Sequence, residues 1–180
     1  SCKVLSFGEV SSEKVHSCGF VFECYNKVKV GLTYQIQDTQ KGLFIMDFIS
    51  IAKQRQSVRS YNNKKVEPEK LEKILEAAHV APTAANLQPV HLIAVQSEEG
   101  LAKISKAAGI YGAPLAIIVC ADHNKAWVRP FDQKQTNDID ASILTDHMML
   151  QAANLGLGSV WICYFKPDVF SYLFYSNTIG

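Results

Sequence analysis

The sequence has few of the features that mark a secreted, zinc-binding or membrane-spanning protein. Its cysteines are odd in number and contain no C-x-x-C pair: Cys2, Cys18, Cys24, Cys120 and Cys163. A disulfide framework or a zinc site is therefore not expected, and a reducing cytoplasm fits best. The N-terminus has no basic segment followed by an apolar one, and no apolar run approaches the roughly 18 residues of a transmembrane helix. We expect neither a signal peptide nor a membrane span.

An excess of charge of either sign is also missing. The chain of 180 residues has 18 Lys and Arg against 17 Asp and Glu, a formal net charge of +1. Proteins that bind nucleic acid usually present a broad basic surface, so this balance argues against that class of partner. A hydrophobic content of 48% predicts one soluble domain with a sizeable core.

Acidic residues are absent from one stretch in particular. No Asp or Glu lies between Asp47 and Glu67, whereas KQRQSVRSY places Arg55 and Arg59 four residues apart with Ser57 between them. Two guanidinium groups and a hydroxyl can bind a small anion such as a phosphate through charge-assisted hydrogen bonds. A solvated basic turn is the alternative, and the two arginines taken alone favour it.

Hydrophobic periodicity predicts alternating helices and strands from Met46 onward. The predicted helices are a short one at MDFISIAKQR, one from Pro68 to a stop at Pro82, one from Ser97 to Gly109, and one over 138–155. The predicted strands cover 90–95, 115–121 and 159–165. This order does not form simple βαβ repeats, so the fold class is α+β with a central sheet. The helix over 138–155 is apolar on most of its circumference, and we expect the core and a partner chain to bury it.

Three segments follow from this pattern. We interpret residues 1–45 as an N-terminal extension, 46–168 as the domain and 169–180 as a short C-terminal tail. Partial alternation of β-branched and aromatic residues over 19–38 is consistent with a hairpin within the extension.

Polar side chains or glycines interrupt the apolar background where helices meet loops or strands. The loop APTAANLQP offers the amides of Asn86 and Gln88 between two prolines. In NLGLGSVW, Gly156 and Gly158 would let backbone amides approach a flat ring closely. Ordinary turn chemistry for the amides and a helix C-cap for the glycines are the alternatives.

Taken together, these stretches resemble the nitroreductase family of flavin enzymes. RQSVRSY, EKILEAAHVAPTAANLQPVHLIAV and LTDHMMLQAANLGLGSVWI follow one another in the family's order and spacing. The resemblance covers 47–168, roughly two thirds of the chain, and the combination is far more specific than any single motif. It implies a central mixed or antiparallel sheet flanked by helices, in a homodimer.

The resemblance also implies a site for flavin mononucleotide (FMN). Arg55 and Ser57 should hold its phosphate, Gln56 should lie along the ribityl chain, and Arg59 should face the pyrimidine end of the ring. The second motif should reach the flavin from the other subunit, through Pro82, Thr83, Asn86 and Gln88. The glycine turn should contact the ring through backbone groups of Gly156, Leu157, Gly158 and Ser159.

The implied activity is hydride transfer from NADH or NADPH through FMN to nitroaromatic, quinone or similar acceptors. Because the flavin performs the chemistry, we expect no catalytic side chain and no metal, with Arg59 tuning the charge of the ring. We interpret His123 and His147 as hydrogen-bonded structural residues. The family's C-terminal arm supplies a further basic residue to the phosphate, and no Lys or Arg follows Lys166 here. A non-catalytic flavin-binding dimer and a flavin-dependent dehalogenating or fragmenting enzyme are the alternatives.

Overall fold

The computed structural model describes residues 2–10 and 47–170. Within these ranges the chain forms strands and helices that alternate irregularly. One of the helices is a short 3₁₀ turn over Ala84–Asn86. The elements are β1 (Cys2–Gly8), α1 (Phe48–Gln54), α2 (Pro68–His79), β2 (Val90–Val95), α3 (Glu98–Ala107), β3 (Leu115–Ala121), α4 (Asn137–Asn154) and β4 (Gly158–Ile162).

The four strands form one sheet in the order β2-β3-β1-β4, and each adjacent pair is antiparallel. The predicted α+β class with a central antiparallel sheet is therefore confirmed. Of the strands predicted from apolar runs, β2 and β3 have the predicted bounds. β4 is shorter than predicted: it ends at Ile162, and the side chain of Tyr164 is 95% exposed.

β1 corrects the interpretation of residues 1–45 as an extension outside the domain. Residues 2–8 form an inner strand, in which Val4 and Leu5 are fully buried. Lys3 fixes the strand further, because its Nζ donates to the carbonyl oxygen of Asp138 at 3.1 Å and lies 4.7 Å from the ring centre of Trp161. This part of the segment belongs to the domain, whereas the predicted hairpin over 19–38 lies outside the described residues.

Successive side chains of a strand point to opposite faces of the sheet, and both faces are covered. On one face, Leu5 and Ile117 pack with Ile74 of α2 and Met148 of α4. On the other, strand residues such as Ile118 pack with Ile104 of α3. The sheet therefore lies between α2 and α4 on one side and α3 on the other.

The helices begin where the sequence predicts. Pro68 is in the first turn of α2, and the side chain of Ser97 caps α3 by accepting a hydrogen bond from the backbone N–H of Gly100 at 3.2 Å. α4 is buried over much of its circumference, and Met149 is only 5% exposed within its own chain. α1 contacts α4 but contains no buried residue, which leaves Phe48 and Ile49 on the surface.

Candidate functional site

The arginine-rich segment leaves α1 and runs beside the start of β4. α1 ends at Gln54, and Arg55 adopts an extended conformation with φ −61° and ψ 118°. The backbone N–H of Val58 donates to the carbonyl oxygen of Ser159 at 3.0 Å, and Ser57 forms an isolated parallel bridge with Ser159. The first and third of the predicted motifs therefore meet in this chain.

Glycine is required at position 158 by this close approach. A Cβ placed on Gly158 would lie 2.7 Å from Cγ2 of Val58 and 3.1 Å from Cγ2 of Val10. Such distances are shorter than real carbon contacts, so any larger residue would push the two segments apart. The sequence predicted that this glycine lets backbone amides approach a flat ring, whereas the close contacts described here are with the side chains of Val58 and Val10.

Gly156 ends α4 in a left-handed conformation, with φ +74°. Its N–H donates to the carbonyl oxygen of Ala153 at 3.0 Å, and the N–H of Leu157 donates to that of Ala152 at 2.8 Å. This pair of hydrogen bonds is a Schellman motif, in which glycine avoids the strain that a side chain would cause. The C-cap that we weighed as an alternative is thus present, and it directs the chain from α4 into β4.

The two motifs border an open cavity of about 180 Å³. Its lining is formed by Val10, Gln54, Arg55, Gln56, Val58, Ala153, Gly156, Leu157, Gly158 and Ser159. Six of the predicted site residues are among them, whereas Ser57 adjoins the cavity through Ser159 and Arg59 is an exposed residue outside the lining. Sequence reasoning missed Val10, because nothing in residues 1–45 indicated that β1 ends beside this site.

The cavity has positive charge close by. Arg55 is half-buried at its edge, and Lys53 and Arg59 are exposed on either side. Among the described residues, ion pairs are made by other cations: Lys64, Lys70, Lys103, Lys125 and Arg129. No described carboxylate therefore neutralises the guanidinium groups of Arg55 and Arg59, which are placed to attract an anion.

Tyr61 holds the arginine segment in place through hydrogen bonds of its side chain. Its buried hydroxyl donates to the carbonyl oxygen of Val58 at 2.9 Å and lies 3.2 Å from Oγ of Ser6. Burial raises the pKa of Tyr61 to about 12, against the opposite effects of the Ser6 hydrogen bond and the Arg59 charge. The phenol is therefore neutral at physiological pH and acts as a fixed hydrogen-bond donor.

The second predicted motif forms a compact loop elsewhere on the surface. Ala85, Asn86 and Gln88 adopt left-handed conformations, with φ values of 51°, 54° and 47°. The N–H of Gln88 donates to Oγ1 of Thr83 at 3.1 Å, and the N–H of Asn86 donates to the carbonyl oxygen of Thr83 at 3.0 Å. Pro82 is an exposed residue at the start of this loop. The loop therefore maintains a defined shape that presents its amides outward.

A buried carboxylate anchors this loop to α4. Asp140 is 1% exposed and accepts hydrogen bonds from the N–H of Ala84 at 2.9 Å and from Oγ1 of Thr136 at 3.0 Å. Its place in the first turn of α4 is also favourable to a negative charge. Sequence reasoning missed this residue, because acids in the first turn of a helix are common and give no sign of a tertiary contact.

Thr83 and Gln88 line a second cavity, of about 360 Å³, which shares no lining residue with the first. Each cavity includes one residue of α4: Ala153 in the first and Leu144 in the second. Nine residues of helix correspond to about 14 Å along its axis. The structure thus unites the first and third motifs and separates the second from them within one chain.

The two histidines that we considered have hydrogen-bonded partners. Nδ1 of His123 lies 3.0 Å from Oε1 of Gln135, and Nδ1 of His147 lies 2.9 Å from the carbonyl oxygen of Ile143. In residues 2–10 and 47–170, no group of three or more His, Cys, Asp and Glu side chains could hold a metal ion. None of the helices described there has the length and apolar character needed to cross a membrane.

Comparison with known proteins identifies the family. Residues 52–110 and 105–176 match the model described as the Nitroreductase family. The chain belongs to the nitroreductase family. A solved nitroreductase family protein from Clostridium difficile 630 is 59% identical, with a TM-score of 0.71 over 72% of this chain and 76% of that one.

Two further relatives carry more specific names. An FMN-dependent nitroreductase from Clostridium difficile R20291 is 34% identical, with a TM-score of 0.59 over 71% of this chain and 78% of that one. The FMN reductase [NAD(P)H] of Bacillus subtilis is 36% identical over 121 residues, which is 58% of this chain and 49% of that protein. This nitroreductase family chain spans between 49% and 62% of the length of the first three curated relatives that it matches.

Proposed function

We propose that this protein is an FMN-dependent oxidoreductase that passes hydride from NADH or NADPH to nitroaromatic, quinone or similar acceptors. The observation that supports it best is the cavity where the arginine segment meets the glycine turn, joined by the Val58–Ser159 hydrogen bond. Similar chains that are named FMN-dependent nitroreductase and FMN reductase [NAD(P)H] support the same activity.

The residues of the cavity fit FMN. Gly156 has no side chain and a Cβ there would meet nothing within 4 Å, so the backbone at this edge of the cavity is open to a flat ring. The guanidinium of Arg55 is suited to a terminal phosphate, and the sequence has no G-x-G-x-x-G turn for the pyrophosphate of FAD. FMN, when bound, supplies the two-electron chemistry between the nicotinamide donor and the acceptor.

Side chains of the first motif would then bind and orient the cofactor. Arg55 and Ser57 would hold the phosphate, and Gln56 would hydrogen-bond to the ribityl chain. Arg59 would add positive charge near the ring, which would favour added negative charge there. No proton transfer by a side chain is required, which agrees with the structural hydrogen bonds of His123 and His147.

We further propose that the active site is completed by a second copy of the chain. A cavity of about 180 Å³ is smaller than the ~300–1,000 Å³ of typical cofactor sites, so one chain supplies only part of the walls. The loop with Thr83, Asn86 and Gln88 is anchored to α4 at Asp140, which lies about 20 Å along the helix from Ala153 of this cavity. A two-fold arrangement would bring this loop of each chain to the arginine cavity of the other.

The surface of α1 supports such a dimer. Phe48 is 62% exposed and Ile49 is 53% exposed, and both belong to α1, which contacts α4. Neighbouring exposed large apolar side chains are typical of an interface between chains.

The test is the identity of the cofactor and its turnover. We expect the purified protein to be yellow and to release FMN rather than FAD on denaturation, as determined by chromatography and mass spectrometry. It should also oxidise NADH or NADPH when a quinone is supplied. A colourless preparation that takes up no added FMN would contradict the proposal.

Two other outcomes would favour the alternative functions. Bound FMN without any NADH or NADPH oxidation would indicate a flavin-binding module. Oxidation coupled to halide release or to cleavage of the acceptor, detected by product analysis, would indicate a dehalogenating or fragmenting enzyme.

A further inference from the structure

Cys2 and Cys120 face each other across two neighbouring strands. They are register partners of the antiparallel pair β1 and β3, and their Sγ atoms lie 2.7 Å apart. Residues directly opposite in such a pair have Cα atoms about 4.5–5.5 Å apart, which falls within the range that a disulfide requires. Both residues are of intermediate exposure, so a small oxidant can reach them.

We propose that Cys2 and Cys120 form a reversible disulfide that covalently links β1 to β3. The pair spans 118 residues of sequence, so the bond would close a long loop and restrict the unfolded chain strongly. Disulfides of this kind in a reducing compartment are transient and respond to the redox state.

The surroundings of Cys2 favour reaction at this pair. A hydrogen bond from the Cys120 thiol is the largest of the effects that lower the pKa of Cys2 to about 6, and burial acts in the opposite direction. A thiolate is the reactive form of cysteine, so Cys2 is the residue expected to attack first. Cys163 is exposed beyond the end of β4 and is no register partner of Cys2 or Cys120.

The reaction balances with a small disulfide such as oxidised glutathione as the oxidant. The Cys2 thiolate attacks one sulfur of oxidised glutathione, which forms a mixed disulfide and releases one glutathione thiolate. Cys120, once deprotonated, attacks the sulfur of Cys2 and releases the second glutathione. The two protons of the protein thiols pass through solvent to the departing glutathiones, and the protein loses two electrons to them.

The position of β1 gives this bond a structural effect. In the order β2-β3-β1-β4, β4 pairs with no described strand except β1, and Phe7 and Gly8 of β1 oppose Ser159 and Gly158. A bond that fixes β1 to β3 therefore also fixes the strand that carries the glycine turn. We expect oxidation to raise Tm and, if FMN is bound as proposed above, to slow its release.

The experiment treats the folded, full-length protein with oxidised glutathione, then acidifies and alkylates it. Peptide mass spectrometry should find Cys2 and Cys120 in one cross-linked peptide that lacks two hydrogen atoms, and dithiothreitol should restore both thiols. We expect Tm to rise by roughly 5–15 °C in the wild type and in Cys163→Ser, and to remain unchanged in Cys120→Ser.

Two results would overturn the proposal. One is that both thiols stay alkylatable or keep a glutathione adduct in the folded protein. The other is a cross-link that forms without any rise in Tm. Neither readout depends on flavin, so a protein that binds no FMN but forms the cross-link would contradict only the proposed function. A yellow, active protein without the cross-link would contradict only the proposed disulfide between Cys2 and Cys120.

Discussion

The backbone N–H of Val58 donates to the carbonyl oxygen of Ser159 at 3.0 Å. This hydrogen bond joins the segment with the arginines to the first residues of β4, which are distant in sequence. The candidate site is therefore built where two segments of the chain meet. Substitutions in either segment should affect binding at this site.

Replacing Arg55 with alanine should weaken FMN binding through the phosphate. Loss of a charge-assisted hydrogen bond costs about 1.5–3 kcal/mol, or roughly ten- to a hundredfold in affinity. Riboflavin, which lacks the phosphate, should bind almost equally well to both proteins. Flavin fluorescence titration measures the two affinities. Lys53→Ala is the matched control, since it removes the same charge from an exposed neighbour that does not line the cavity. Equal losses for FMN and riboflavin would show that Arg55 has another role.

Replacing Gly158 with alanine should destabilise the fold and the site together. The added methyl would lie 2.7 Å from Cγ2 of Val58, and overpacking of this kind typically costs about 1–3 kcal/mol. Urea unfolding gives the change in free energy. Gly109→Ala is the control, because a Cβ there would meet nothing within 4 Å. If the clash is the cause, adding Val58→Ala should recover part of the loss. Additive losses in the double variant would argue against the contact.

Replacing Ile49 with glutamate should disrupt the proposed dimer without unfolding the chain. Ile49 is 53% exposed, so its charge would be solvated in the monomer and buried in the interface. Light scattering with and without FMN should show a lower molar mass and weaker flavin binding, since assembly and binding are linked. Ile93→Glu, on the exposed side of edge strand β2, should change neither property. A monomeric wild type that retains FMN tightly would contradict the shared site.

Met149 is a poorer probe of the interface, although it lies on the apolar helix that first suggested a dimer. It is 5% exposed and packs in the core of its own chain. A glutamate there would carry an unpaired charge into the core, so Met149→Glu should unfold the protein rather than separate subunits.

Tyr61 should make stability fall at alkaline pH. Its folded pKa of about 12 lies above the ordinary value of 10.0, so the unfolded chain releases the proton first as pH rises. The contribution of Tyr61 is therefore full below pH 10.0 and decreases as pH rises from there toward about 12, by a total on the order of 2–3 kcal/mol. Urea unfolding of wild type and Tyr61→Phe across this range isolates the effect. Identical pH slopes for the two proteins would refute it.

Local signals predicted much of the fold. The apolar runs at 90–95 and 115–121 gave β2 and β3 correctly, and Pro68 and Ser97 marked the starts of two helices. The predicted end of β4 was wrong. β4 pairs with β1 only up to Val4 and Ile162, although β1 itself continues to Cys2 and apolar residues follow Ile162. An apolar run does not show where pairing between two distant strands stops.

The site was predictable only in part, for the same reason. Arg55, Gln56 and the glycine turn could be inferred from motifs, because each motif is continuous in sequence. Val10 and Asp140 could not, since their roles depend on where β1 inserts and on which helix meets the second loop. Contacts between distant segments leave no local pattern.

The position of β1 inside the sheet also affects how the chain folds during synthesis. Its residues leave the ribosome before those of the other strands, yet Cys2 pairs with a residue 118 positions later and Phe7 with Ser159. During synthesis β1 stays unpaired until β3 has emerged, and β4 can join the sheet only by pairing with β1. Such long-range pairing slows folding and leaves a strand edge open to other chains in the meantime. The nascent protein should therefore depend on chaperones until residue 162 has emerged.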